Sequence, residues 1–207
     1  MISPIVHTKR IVIIGGGRSL NGFSFGLLHR EDCFIITINE SGKHAPFADA
    51  WFTLDPWGLY GPQLPGHRFK GQLYAAVPED FATPESKIRN HRIKPTADIK
   101  YLRRVHGDGL SEDPTTIHTG NSGYGALGLA YHMRPEKILL LGIDGDIGYY
   151  YTTTRTNNAL DHLPDLFEGA VPQLRDAGIT VINGSPNSSV TSFPRYTPHY
   201  ALQEFLK

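Results

Sequence analysis

Three glycines, an arginine and a serine, Gly15-Gly16-Gly17-Arg18-Ser19, follow the apolar run Ile11-Val12-Ile13-Ile14. With no Cβ atoms in the way, backbone N–H groups in such a loop can approach an anion closely, and the start of a following helix adds a favourable dipole. Phosphate is the natural guest. The spacing departs from the dinucleotide-binding fingerprint, because the third glycine counted from Gly15 falls due at Leu20. The Gly-Lys-Ser or Gly-Lys-Thr ending of a P-loop is missing as well, which argues against ATP hydrolysis of that type. A ligand-free turn from strand to helix would use the same residues.

A second small, polar segment, Thr119-Gly120-Asn121-Ser122-Gly123-Tyr124, precedes another helical pattern. Asn121 and Ser122 either cap that helix or offer donors to a ligand's sugar or phosphate. Asp144 and Asp146 follow the apolar run Lys137 to Leu141. Carboxylates there could hold a ribose hydroxyl, anchor Mg²⁺ or take a proton from an acceptor hydroxyl, and aspartates beside glycine also form plain turns. Asn39 and Asp55 close two further apolar runs and carry the same ambiguity. Beyond the acidic pair, Tyr149-Tyr150-Tyr151-Thr152-Thr153-Thr154-Arg155 could stack a base or sugar and neutralise a phosphate, or form an exposed hairpin. The ten histidines include no His-Glu-x-x-His pair, and the single cysteine, Cys33, cannot build a thiolate zinc site, so no metal centre is expected. His106, His118 and His162 fall in loops, where each is either a base or a solvated side chain.

These groups need elements to hold them. Continuous apolar runs predict buried strands at Arg10 to Ile14, Cys33 to Ile38, Ala50 to Leu54, Gln72 to Val77, Lys137 to Leu141 and Ile179 to Ile182, with a further short strand at Tyr101 to His106. Helices are predicted at Leu20 to His29, where Gly22 and Gly26 weaken the pattern, at Tyr124 to Met133 and at Leu163 to Ala177. A short helix closes the tail. Strands alternating with helices specify one α/β domain, residues 1–207, of Rossmann-like type: a mostly parallel sheet with helices on both faces. An irregular excursion or lid spans about 56–100. In such sheets the ligand lies outside the carboxyl ends of the strands, which here carry Gly15 to Ser19, Asn39 to Ser41, Asp55, Asp144 to Asp146 and Asn183 to Ser189.

The formal charge is zero, with 20 Lys and Arg against 20 Asp and Glu, so no global field draws the chain to nucleic acid or an anionic membrane. The apolar stretches are too short for a membrane span, and the N-terminus lacks a signal-type core. Cys33, alone in an apolar run, fits a buried thiol in a reducing, cytoplasmic setting.

The order of these segments resembles a group of Rossmann-like transferases. The group includes the Campylobacter-type sialyltransferases, the archaeal 6-hydroxymethylpterin pyrophosphokinases and phage proteins labelled morphogenetic. The resemblance is carried by Ile11 to Leu20, by Ile36 to Glu40 with Ala48 to Asp55, by Asn121 to Asp144 and by Asn183 to Phe193. It implies that Gly15, Gly16, Gly17, Arg18, Ser19, Asn39, Asp55, Asn121, Ser122, Ser185 and Ser188 face a nucleotide or nucleotide sugar. It also implies transfer of a group off or onto that nucleotide. Where the phage relatives carry a His-Trp-His-like segment, this chain has Tyr149, Tyr150 and Tyr151, so the catalytic roles fall to Asp144, Asp146 and His162. A glycosyltransferase-like enzyme with a nucleotide-sugar donor is expected. The alternatives are Mg²⁺-dependent pyrophosphoryl transfer from ATP, and an accessory protein, phage or bacterial, that binds a nucleotide without turnover. The setting expected is cytoplasmic, the host's if phage-encoded, with a small-molecule nucleotide donor, an unknown acceptor and self-association as a homo-oligomer as partners.

Overall fold

The computed structural model describes residues 9–55, 65, 68–78, 98–145 and 160–207. Eight strands form one parallel sheet: β1 (Arg10–Ile14), β2 (Phe34–Ile38), β3 (Ala50–Thr53), β4 (Gln72–Val77), β5 (Ile99–Val105), β6 (Thr116–His118), β7 (Lys137–Leu141) and β8 (Thr180–Asn183). Their spatial order is β6-β5-β4-β3-β2-β1-β7-β8. The chain therefore builds outward from β1 to β6, crosses back over the sheet and continues with β7 on the other side of β1. That reversal is a topological switch point, where two loops diverge at the carboxyl ends of neighbouring strands and leave a crevice. Register keeps the strand ends level, with Ile14 beside Thr37 of β2 and Leu141 of β7.

The apolar runs are continuous because both faces of the inner strands are covered. Ile11 and Ile13 of β1 pack with Ile36, Phe52, Ile138 and Leu140 against helices α1 (Ser122–His132) and α2 (Leu163–Asp176). Val12 and Ile14 face the opposite side with Ile35, Trp51, Leu139 and Leu141, under α3 (Pro198–Leu206). Helix α1 is buried nearly all round, wedged between the sheet and α2. A Cβ on its Gly125 would stand 2.8 and 2.9 Å from ring carbons of Phe52, so only glycine permits this approach.

Two expectations need correction. The helix predicted over Leu20 to His29 is absent; two 3₁₀ turns, Arg18–Leu20 and Phe25–Leu28, stand in its place. Gly22, between them, adopts φ +76, which no right-handed helix accommodates. A strand at Thr116–His118 was not anticipated; three residues, two of them polar, give no periodic signal. The excursion at 56–100 lies largely outside the described residues, except where β4 and the start of β5 run through it. Among the described residues, no helix is long and apolar enough to cross a membrane.

Candidate functional site at the switch point

The glycine loop leaves β1 alongside the turn that leaves β7. Gly15 N–H donates to Leu141 O (2.8 Å) and Gly17 N–H to Gly142 O (2.9 Å), which extends the strand pairing past the sheet edge. Glycines at 142 (φ +66) and 145 (φ +70) adopt the left-handed conformation on either side of Ile143-Asp144 and bend the β7 turn back toward the loop. Asp144 is thereby buried, 9% exposed, and its carboxylate grips Ser19 twice. Oδ2 accepts from the backbone N–H at 2.7 Å and Oδ1 from the hydroxyl at 2.6 Å. Ser19 Oγ also lies 2.9 Å from Ser185 Oγ, on the loop after β8.

That third loop is tied in by side chains. Asn183, fully buried, accepts from Ser185 N–H (3.1 Å) and donates to Val190 O (3.3 Å). Ser188 donates to Ile143 O (2.6 Å) and accepts from Val190 N–H (3.0 Å), while Ser189 N–H donates to Asp144 O (2.8 Å). On the other flank, the hydroxyl of Ser41 donates to Gly15 O at 2.7 Å. Asn39, with φ +51, accepts at Oδ1 from the Thr53 hydroxyl (2.7 Å) and at its carbonyl from Trp51 Nε1 (2.8 Å). Of the loop's backbone donors, Gly15, Gly17 and Ser19 are consumed internally. Among the described residues, the N–H groups of Gly16 and Arg18 and the Arg18 guanidinium have no partner.

The start of α1 is capped by Asn121, whose side chain accepts from Gly123 N–H at 2.6 Å and Tyr124 N–H at 3.4 Å. Ser122 is the first residue of the helix. His162, exposed at the N-cap of α2, places Nε2 3.4 Å from Gly120 O, beside that cap. Asp55 sits at the end of β3, two strands from β1, and its N–H donates to Thr53 Oγ1 (3.0 Å). Burial pushes the Asp55 carboxyl above its ordinary range, against a smaller opposing pull from Arg104.

The chain shares its fold with a bacterial sialyltransferase. The sialyltransferase CstII from Campylobacter jejuni, in complex with the substrate analogue CMP-3FNeuAc, matches with a TM-score of 0.55 at 15% identity, over 92% of this chain and 87% of the other. A variant of sialyltransferase Cst-II in complex with CMP matches with a TM-score of 0.54 at 14% identity, over 92% and 87%. CstII with cytidine-5'-monophosphate gives 0.52 at 15%, over 93% and 86%. No family model and no curated protein sequence matches the chain. At such identities the likeness establishes the architecture.

Of the residues singled out from the sequence, Gly15 to Ser19, Asp144, Ser185 and Ser188 meet at the switch point, with Asn39 next to them at the end of β2. Asn121, Ser122 and His162 form a second group at the start of α1, and Asp55 stands apart from the glycine loop. Asp146 and Tyr149 to Arg155 lie outside the described residues, and among those described no group of three or more His, Cys, Asp or Glu converges as a metal site. Thr53 was not anticipated, and Ser41 and Asn183, expected on the carboxyl edge, were not expected to tie its loops together. The available signal was a polar residue closing, or just following, an otherwise apolar strand.

Proposed function

We propose that this chain transfers a sugar from a nucleoside-monophosphate-linked donor to an acceptor hydroxyl. The observation that carries this function is the switch-point crevice itself. There a glycine loop with two unengaged N–H groups and an adjacent guanidinium is held rigidly by the turns after β7 and β8. Two N–H groups and one arginine suit one phosphoryl group, and the neighbouring 3₁₀ turn of three residues is too short to supply the dipole of a full helix. The solved structures of like fold carry CMP or a CMP-sugar analogue, which makes cytidine monophosphate the first donor base to test.

In the transfer, the acceptor oxygen forms a bond to the anomeric carbon as the bond from that carbon to the phosphate oxygen breaks. The electron pair leaves on the nucleoside monophosphate, whose developing charge is met by Arg18 and by the Gly16 and Arg18 N–H groups. The acceptor proton passes to His162, which is exposed beside the Asn121 cap. Both oxygens of Asp144 are already engaged with Ser19, which suits a positioning role better than that of a base.

Thermal melts with CMP, UDP, GDP and ATP, each with and without Mg²⁺, test the donor. At about a hundredfold excess over Kd, the true ligand raises Tm by about 5–10 °C. If CMP does not move Tm, or UDP or GDP moves it as far, the proposed donor falls; a shift by ATP that requires Mg²⁺ points to pyrophosphoryl transfer instead. For the base, His162→Ala is expected to slow CMP release from a CMP-linked sugar by about 10²–10⁴-fold while leaving the CMP-induced shift intact. Undiminished turnover would move that role to Asp146.

A further inference from the structure

Gly17 has no conformational need to be glycine. Its φ of −64° and ψ of 154° are open to any residue. What forbids a side chain is Asp144, because a Cβ on Gly17 would stand 2.5 and 2.6 Å from the two carboxylate oxygens. The third glycine of the loop thus makes room for an anion that the protein itself supplies. That anion sits on Ser19 N–H, a donor that a glycine loop ordinarily turns toward phosphate. Among the described residues the carboxylate has no cationic partner, and the bonds it accepts from side chain and backbone are the two from Ser19.

Building on the donor proposed above, we infer that Asp144 is a specificity-determining residue: its buried carboxylate fills the second anion position of the glycine loop and restricts the site to one phosphoryl group. Two consequences follow from charge and donor count. A second phosphate finds Ser19 N–H taken, and it must approach a like charge in a partly desolvated crevice, where repulsion is weakly screened. A single phosphate at Gly16 and Arg18 meets neither obstacle.

Asp144→Asn separates charge from shape. The new Oδ1 can keep the bond from Ser19 N–H, and Nδ2 can donate to Ser19 Oγ. The Ser19 proton then turns to Ser185 Oγ, a contact in which either hydroxyl can donate. The bonds are retained and the charge is gone. Binding of CMP, CDP and CTP is measured by calorimetry on both proteins. The wild type is expected to prefer CMP, and in D144N the ratio of CMP to CDP affinity is expected to fall by about tenfold or more, as loss of one close like charge predicts. The second variant combines Gly17→Ala with Asp144→Ala, so that the new Cβ occupies volume the carboxylate vacates; the same fall in the ratio is expected if D144N does not fold. A CMP preference that both routes leave unchanged overturns the inference alone, as does a wild type that binds CDP as well as CMP. A wild type that binds none of the three removes the proposed donor as well.

Discussion

Two polar clusters stand on the same carboxyl edge of the sheet and are built on opposite principles. At the ends of β1, β7 and β8, the side chains of Ser19, Asp144, Asn183, Ser185 and Ser188 are bonded to one another or to backbone, and among the described residues there Ser189 Oγ, beside Gly145, is the one buried side-chain atom left without a partner. At the end of β6 and the start of α1, two buried atoms lack partners among the described residues, His118 Nδ1 and the hydroxyl of Tyr124, a residue 1% exposed. His118 is pressed against Gly107, where a Cβ would stand 2.6–2.9 Å from its ring, and Tyr124 packs edge-on against Phe167 with Asp108 nearby.

Rigidity is concentrated at the switch point. A satisfied buried network has one low-energy arrangement, and transition-state stabilisation needs donors that do not reorganise during the reaction. Apart from Ser189 Oγ, the switch-point cluster has that character. The β6–α1 cluster is hydrogen-bonded at Thr119 and Asn121, yet among the described residues it retains two buried polar atoms whose desolvation is offset by no partner, so packing carries more of its order. Under the proposed function, the donor nucleotide meets the rigid cluster and the acceptor approaches the other, next to His162.

The largest expected stability effect therefore lies in the first cluster. Asn183→Ala leaves Ser185 N–H and Val190 O unpaired in a buried loop, and is expected to cost about 2–3 kcal/mol in urea unfolding. It should also weaken nucleotide binding, because Ser185 contacts Ser19 from that loop. A cost below about 0.5 kcal/mol would show that the network is not what holds the loop, and the contrast between the clusters would collapse.

Asn121→Ala probes the second cluster where it does have a hydrogen-bonded anchor. Loss of the cap on Gly123 and Tyr124 N–H is expected to cost about 1 kcal/mol, the ordinary value for an N-cap. A cost near that of Asn183→Ala would mean that the helix start is more tightly organised than its unpartnered atoms suggest. A matching effect on nucleotide binding would bring Asn121 into the donor site.

Much of the scaffold was legible in the letters, for a definite reason. The strands at Arg10–Ile14, Gln72–Val77 and Lys137–Leu141 begin and end where their apolar or β-rich runs do, because burial on both faces writes itself as continuous hydrophobicity. The carboxyl-edge rule then places Gly15 to Ser19 and Asp144 on the same edge of the sheet before any contact is known. Long-range polar pairing was not legible. That Asp144 turns inward to Ser19, 125 positions away in sequence, depends on two left-handed glycines and on the absence of a Cβ at 17. The helix expected after the glycine loop fails for a local reason, since the apolar spacing of Leu20, Phe23 and Leu27 persists while Gly22 reverses the backbone.

The smallest effect is the most diagnostic, because its expected sign is opposite. Tyr124→Phe removes a buried hydroxyl that has no partner among the described residues, so near neutral pH it is expected to change stability by no more than about 0.5 kcal/mol, or to raise it. The two proteins should part company in alkali. Burial, with Asp108 adding to it, pushes the Tyr124 hydroxyl from 10.0 up to about 12. In the unfolded chain the phenol ionises first, so its contribution is intact below about pH 10 and is lost as pH rises toward 12. Phenylalanine has no proton to lose, and the variant should therefore fall less steeply over that interval in unfolding experiments. If Tyr124→Phe instead costs more than about 1 kcal/mol at neutral pH, the hydroxyl has a bonding partner after all, and the two clusters obey the same rule.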